Sequence, residues 1–165
     1  MNEQSAAYDT IVVGGGPSGA TAANDLARSG HKVLLLERGF RIKPCGGAIP
    51  PCLMAEFDIP EHLLVARIRS ARMVSPRGEA VDMPIDGTYV GMVDRDEFDP
   101  WLRERARKSG ADVVAGVFKS LRYVDDRIEL TYQTKDDNPR VMTVTARSVI
   151  GSDGARSAVA RATIP

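Results

Sequence analysis

The chain has 165 residues, enough for a domain with a core of its own, and its 43% hydrophobic and 27% charged content is that of an ordinary globular protein. Its 22 basic and 22 acidic residues cancel; no excess positive charge is present to neutralise phosphates, which argues against nucleic acid as a partner. Cys45 and Cys52 are too few for a disulfide framework and form no C-x-x-C or Cys/His cluster, so no metal site is expected.

The first residues, MNEQSAAYD, have neither the basic flank nor the apolar core of a signal peptide. No run approaches the roughly 18 apolar residues of a membrane span, so a cytoplasmic location is expected. Tyr8 to Val13 is a short apolar run rich in β-branched residues and reads as a strand. Gly14, Gly16 and Gly19 follow at G-x-G-x-x-G spacing. A helical pattern then runs from Pro17 to Ser29 and stops at Gly30, and a second strand from Lys32 to Leu36 ends at Glu37. Each part has a physical role. Gly14 permits a tight turn, Gly16 lets backbone approach a pyrophosphate, and Gly19 lets helix and strand pack closely. Pro17 suits a first helical turn, where its missing N–H is no loss. The unpaired N–H groups there, with the helix dipole, favour a phosphate anion. Glu37, an acceptor-only carboxylate roughly 20 residues past the glycines, suits a ribose diol. A glycine-rich turn with a charged strand end explains the turn alone; a dinucleotide site explains why all the pieces coincide.

Residues 38–60, RGFRIKPCGGAIPPCLMAEFDIP, are rich in proline and glycine and read mostly as loop, with short helical turns from Pro51 to Phe57 and from Pro60 to Leu64. In KPCGGAIP, Gly46 and Gly47 allow backbone to approach a flat or anionic ligand, and Cys45 presents a thiol beside them. Composition reads Cys45 as a small buried hydrophobe. Arg38, Arg41 and Lys43 nearby would make it reactive instead. From Ala66 to Ile85 the pattern is a hairpin about a turn at Ser75 to Gly78, followed by an extended run from Thr88 to Val93. These strands do not alternate with helices and read as an inserted antiparallel sheet.

Asp94 to Gly110 is the clearest later helix, capped by Asp94 or Asp96, with Phe98, Trp101, Leu102 and Ala106 as its buried stripe. Its many charges read as a solvated face, with Glu104 and Lys108 as an i,i+4 pair. Arg95 stands where a strand gives way to a helix, a place that faces ligands in open α/β sheets. Ala111 to Val117 reads as a buried strand. Val117 to Val124, Arg127 to Thr134 and Arg140 to Ala146 read as a meander, and Ser148 to Ile150 as a further short strand. The last of these enters GSDG, where Gly151 and Gly154 bracket Asp153, and Ser157 caps a helix through Arg161. Taken alone this is an ordinary turn; beside the first glycine turn it reads as a second phosphate or sugar site. His31 and His62 read as surface residues.

GGGPSG with Glu37-Arg38, the Arg95-x-x-x-Asp99 helix start and GSDG together resemble the FAD-dependent fold of the aromatic hydroxylase and geranylgeranyl reductase group. KPCGGAIPPCLMAEFDIP, MVSPRGEAVDM and YVGMVDRDEFDPWLRERARKSGADVVAG resemble the geranylgeranyl reductases of chlorophyll and bacteriochlorophyll synthesis more specifically. The resemblance implies an α/β, Rossmann-type FAD-binding fold with inserted antiparallel strands, aromatic hydroxylase-like and incomplete. It implies three regions: 1–64 as Rossmann segment with the Cys-Gly-Gly loop, 65–93 as inserted strands of a substrate sheet, and 94–165 as helix, meander and second FAD motif. The activity implied is reduction of geranylgeranyl chains to phytyl by NADPH through FAD. The prenyl substrate would be geranylgeranyl diphosphate or a geranylgeranylated chlorophyll pigment, and the protein would lie at the periphery of a photosynthetic membrane.

Carried over by position, Gly14, Gly16, Pro17, Ser18 and Gly19 would face the FAD pyrophosphate, with Glu37 on the adenosine ribose and Arg38 by the adenine. Cys45, Gly46, Gly47 and Ala48 would line the isoalloxazine or the prenyl pocket, and the proton that alkene reduction needs would come from Cys45 or a bound water. Arg95 would reach the ribityl or pyrophosphate region and Val117 the adenine through its backbone. Asp153 and Gly154 would hold the second face of the pyrophosphate and ribityl chain. The family's later Gly-Asp motif and the rest of its substrate sheet do not follow, so the chain is expected to be an N-terminal portion, inactive alone. An aromatic hydroxylase, a reductase of archaeal-type membrane lipids and a non-catalytic nucleotide-binding module are the other readings.

Overall fold

A computed structural model of the chain describes residues 7–39, 45 and 47–164. Two compact units are present, Met1–Arg41 with Asp99–Pro165, and Ile42–Phe98. In the first unit, β1 (Ala7–Val13) runs parallel between β2 (Val33–Glu37) and β10 (Val141–Gly151), and β2 runs parallel to β8 (Asp112–Val124). Strand β9 (Arg127–Thr134) pairs antiparallel with both β8 and β10 and closes a barrel in the order β1-β10-β9-β8-β2.

Two long strands make this closure. Asp112 to Ala115 of β8 pairs with β2, and Gly116 to Val124 pairs with β9. Likewise Val141 to Ala146 of β10 pairs with β9, while Thr145 to Gly151 pairs with β1. The division of 111–124 into two strands at Val117, and of 140–150 into two, is therefore corrected: each is one strand shared by two neighbours. A bulge between Phe118 and Ser120 absorbs the register change in β8.

Strands β1 and β2 are buried on both faces, which is why they read as continuous apolar runs. Ile11, Val13, Leu34 and Leu36 point into the barrel with Leu130, Tyr132, Val144 and Ala146. Val12, Val33 and Leu35 are buried too, and α1 (Pro17–Arg28) packs over this side through Ala20, Ala23 and Ala27. These small side chains let the helix lie close to the sheet. Gly30, at φ +84°, ends the helix and donates to the Ala27 carbonyl at 3.0 Å. Helix α4 (Ala158–Thr163) adds Val159 to the barrel core.

In the second unit, β3 (Ala48–Ile49), β7 (Val90–Val93) and β4 (Leu64–Ile68) form an antiparallel sheet in the order β3-β7-β4. Helix α2 (Pro51–Glu56) and a 3-10 turn at Glu61–Leu63 precede β4. The expected hairpin is present as β5 (Ser70–Val74) and β6 (Ala80–Pro84), closed by the Gly78 N–H on the Ser75 carbonyl at 2.9 Å. The unit runs from residue 42 to 98, and the pairing of β3 with β7 draws the proline-rich stretch into this sheet. The boundary at 98 falls within α3 (Arg95–Lys108), whose N-cap is Asp94; its carboxylate accepts the Asp96 N–H at 2.9 Å.

Candidate cofactor site

The C-terminal ends of β10, β1 and β2, and Ala115 partway along β8, lie in that order along one edge of the parallel sheet. This edge therefore carries, in sequence across it, the Gly151–Gly154 turn, the Gly14–Gly19 turn, Glu37 and the residues just past Ala115. Chain connections leave β1 toward β2 and arrive at β10 on its other side, so the crevice between them is a topological switch point, where open α/β sheets take their ligands.

The two turns touch. The Ser152 N–H donates to the Val13 carbonyl at 2.7 Å, and the Gly14 N–H donates to Leu36 at 2.7 Å. Gly14 is at φ +105°, and a Cβ there would meet the Ser152 oxygen at 2.4 Å. A Cβ on Gly19 would meet the Gly14 oxygen at 1.9 Å. Both glycines are thus demanded by backbone packed against backbone.

Gly14 donates to Leu36, and the Gly15 N–H donates to Glu37 Oε2 at 2.6 Å. Pro17 has no N–H. The N–H groups of Gly16, Ser18 and Gly19 have no partner among the described residues. Gly16 caps α1 without a side-chain hydrogen bond, and the first turn of α1 contains no acid. Three amide donors at the positive end of a 12-residue helix, with no carboxylate of the described residues on them, fit the pyrophosphate of FAD.

Glu37 is 9% exposed. One oxygen accepts from Gly15 and the other from the Gly39 N–H at 3.0 Å. Since a carboxylate offers about four acceptor positions, two remain for a ribose diol. Arg38 beside it is exposed. Val117 is half-buried on β8, two residues past the last pairing with β2.

Asp153 has a different setting. Its carboxylate accepts from the Ser157 hydroxyl at 2.5 Å and from the Ala158 N–H at 2.6 Å. Burial opposes its ionisation, but these hydrogen bonds outweigh burial and hold the carboxyl below the usual aspartate range. Gly154, at φ +87°, has open space around it.

The remaining expected site residues belong to the second unit. Cys45 is exposed, which corrects the reading of a buried small cysteine. Gly46, Arg41 and Lys43 lie outside the described residues. Gly47 is buried at φ +68°, where a Cβ would meet the Val93 oxygen at 2.1 Å. Ala48 pairs with Met92 and is exposed. Arg95 opens α3, directly after β7 and Asp94.

The sequence reading missed the interior of α3. Its charges are not all solvated: Asp99 and Arg103 are each 7% exposed. Arg103 Nη1 donates to the Gly15 carbonyl at 3.0 Å. The signal was available, since residues 99, 102, 103 and 106 share one helical face with the apolar stripe. Ser109 at the end of α3 also donates to Asn24 of α1 at 2.9 Å, and Asn24 is buried. The half-buried Glu104 pairs with Arg107, not with Lys108.

Comparisons with known proteins agree with this geometry. The family described as FAD binding domain matches residues 58–164, and the family described as FAD dependent oxidoreductase matches residues 9–49. The chain is 54% identical over 152 residues to a geranylgeranyl diphosphate reductase of Rhodobacter capsulatus, covering 92% of this chain and 39% of that protein. It is 40% identical over 114 residues to a digeranylgeranylglycerophospholipid reductase of Methanoculleus marisnigri, covering 65% of this chain and 29% of that protein. A crystal structure of a geranylgeranyl bacteriochlorophyll reductase-like protein from Thermoplasma acidophilum superposes with a TM-score of 0.79 at 30% identity, covering 90% of this chain and 40% of that one. The chain thus spans two fifths or less of the length of each of these relatives.

Proposed function

The chain belongs to the FAD-binding domain family and is a homologue of the geranylgeranyl diphosphate reductases; from that premise we propose that it holds FAD for the NADPH-driven reduction of a geranylgeranyl chain to phytyl. The observation that carries the cofactor half is the set of three unpartnered amide donors at Gly16, Ser18 and Gly19, beside the buried Glu37. The 54% identity to the Rhodobacter capsulatus protein supports the substrate half.

In this reading the glycine turn binds the pyrophosphate, Glu37 the adenosine ribose, Arg38 the outer edge of the adenine and Val117 its rim through backbone. Asp153 contributes by shaping the second turn, and Gly154 by presenting backbone to the ribityl side. Cys45, Gly46, Gly47, Ala48 and Arg95 serve the flavin ring and the prenyl chain. When bound, FAD supplies the two-electron chemistry that carries reducing equivalents from NADPH to an alkene. Saturating each double bond also takes a proton, for which the exposed Cys45 thiol is the donor. The substrate is geranylgeranyl diphosphate or a geranylgeranylated chlorophyll pigment. Among the described residues no helix is long and apolar enough to cross a membrane, and the proposed location is cytoplasmic, at the periphery of a photosynthetic membrane.

Incubation with excess FAD, removal of the unbound fraction and an absorption spectrum test the cofactor half: about one equivalent of flavin is expected to stay. A colourless protein would remove the claim that these residues hold the cofactor. Mass spectrometry of geranylgeranyl diphosphate after incubation with NADPH and a protein of the relatives' full length that carries this chain tests the substrate half, with a gain of two hydrogens expected for each double bond reduced and none expected from the 165 residues alone. The likeness to the Methanoculleus marisnigri protein favours a second substrate, a geranylgeranylated glycerophospholipid. Offering both substrates in the same assay decides between them.

A further inference from the structure

Gly15 sits in the middle of the glycine turn, and both of its backbone polar groups are taken by charged, buried side chains. Glu37 accepts its N–H at 2.6 Å and Arg103 donates to its carbonyl at 3.0 Å. The two side chains press on the residue from either side: a Cβ on Gly15 would meet Glu37 Cβ at 3.0 Å and Arg103 Cδ at 3.1 Å. Arg103 itself is 7% exposed and comes from α3, 88 residues along the chain. Burial pushes its guanidinium down from the usual arginine range, and the nearby carboxylates of Asp99 and Glu37 oppose that. A buried arginine is costly unless its charge and donors are engaged. Here the charge is balanced by two carboxylates and a donor is spent on one peptide of the dinucleotide turn.

We infer that Arg103 is a positioning residue for the dinucleotide turn: with Glu37 it clamps the Gly15 peptide, so that the N–H groups of Gly16, Ser18 and Gly19 stay turned toward a diphosphate. This rests on the FAD reading above. Arg103 does not touch the cofactor. Its effect is preorganisation, in which donors are held in their bound arrangement before the ligand arrives. Without the clamp the Gly15 peptide is free to rotate, and the following amide moves with it. Glu37 faces the ribose as well as Gly15, so its loss weakens every adenine nucleoside. Loss of Arg103 weakens only ligands that carry the diphosphate.

The experiment compares wild type, Arg103→Met and Arg103→Lys. Met keeps much of the apolar stem; Lys keeps the charge and a donor that can reach the Gly15 carbonyl. Dissociation constants for FAD, ADP and adenosine are measured for each by NMR titration. Arg103→Met is expected to weaken FAD and ADP by about tenfold or more, the scale of one charged hydrogen bond, with adenosine unchanged and Arg103→Lys recovering part of the loss. Equal weakening of all three ligands, or none, would overturn the inference. Amide hydrogen exchange is read in parallel without ligand. Faster exchange over Gly15–Gly19 in Arg103→Met, with β9 unchanged, is expected; unchanged exchange in the turn overturns the clamp. If wild type takes up no FAD, the cofactor reading fails, while the exchange comparison still decides whether Arg103 orders the turn. Should Arg103→Met not fold, the same comparison is made with Arg103→Lys, for which exchange and ADP affinity equal to wild type's, or weakening shared by adenosine, overturns the inference and a smaller, diphosphate-specific loss supports it.

Discussion

The turns after β1 and after β10 have the same grammar, strand, glycine, turn and helix, and they end side by side on neighbouring parallel strands. They use it in opposite ways. Gly16 caps α1 with no side-chain hydrogen bond, and its amides stay on offer. The start of α4 is closed by the chain itself: Ser157 Oγ accepts from the Ala160 N–H at 2.9 Å, and Asp153 takes the Ala158 N–H. One helix end is left for an external anion, and the other already holds a carboxylate. A helix N-terminus becomes an anion site only where the sequence withholds its own cap. The glycines differ in the same sense, since Gly14 and Gly19 are pressed against backbone while Gly154 has open space.

The largest expected effect tests the packed turn. In Gly19→Ala the new methyl meets the Gly14 carbonyl oxygen, placed 1.9 Å from the ideal Cβ position, and neither backbone can yield without opening the turn. A stability loss of about 3 kcal/mol or more is expected in urea unfolding, with no flavin retained. A loss below about 1 kcal/mol would mean the helix can slide and that the close packing is not demanded. Next comes Glu37→Gln. The amide offers one oxygen to two N–H donors, at Gly15 and Gly39, so one buried donor is left facing an NH2 group. A loss of about 1–3 kcal/mol is expected, with weaker binding of FAD, ADP and adenosine alike. If only the diphosphate ligands weaken, Glu37 acts on the turn and not on the ribose.

The first turn was legible because its signal is local. Gly14, Gly16, Gly19 and Glu37 have a fixed spacing within one strand–helix–strand unit, and no distant contact is needed to read it. What escaped was non-local. Arg103 looks like one more charge on an exposed helix until α3 is laid against Gly15, and only the tertiary contact makes it a buried donor. The long strands β8 and β10 escaped for a related reason. Each changes partner midway, so its burial pattern changes midway, and a change of pattern reads as a break. Asp153, expected from its glycine neighbours to face the cofactor, also caps the helix five residues on, and the two uses leave the same mark in sequence.

Asp153→Asn tests the closed turn. The amide can still accept a hydrogen bond but loses the charge that faces the N-terminus of α4, for an expected cost of about 2 kcal/mol at neutral pH. The pH dependence carries the sign. The folded carboxyl titrates below its ordinary value of 3.8, so its contribution is present above that pH and is lost as pH falls through the lower, folded value. Wild type should therefore lose stability in this acid window faster than Asp153→Asn, and the two unfolding curves should converge there. Parallel curves would show that the Asp153 charge is not engaged at α4.

The smallest effect separates a turn that shapes the site from one that touches the cofactor. Gly154 is at φ +87° with nothing within 4 Å of a Cβ, so Gly154→Ala meets no clash. What it meets is the left-handed penalty, about 1–2 kcal/mol, reduced by the smaller entropy of the unfolded chain, worth about 0.4–1 kcal/mol. The net expectation is a loss of about 1 kcal/mol, close to that of Gly30→Ala, which has a similar φ of +84° and equally open space at the far end of α1. The pair separates strain from contact. If the Gly154 backbone faces the ribityl side, its alanine variant weakens FAD at a stability matching that of Gly30→Ala, because the methyl fills space the ligand would use. If both variants hold FAD equally, the second turn contributes only through the packing of Ser152 against Gly14, and the binding surface is the first turn alone.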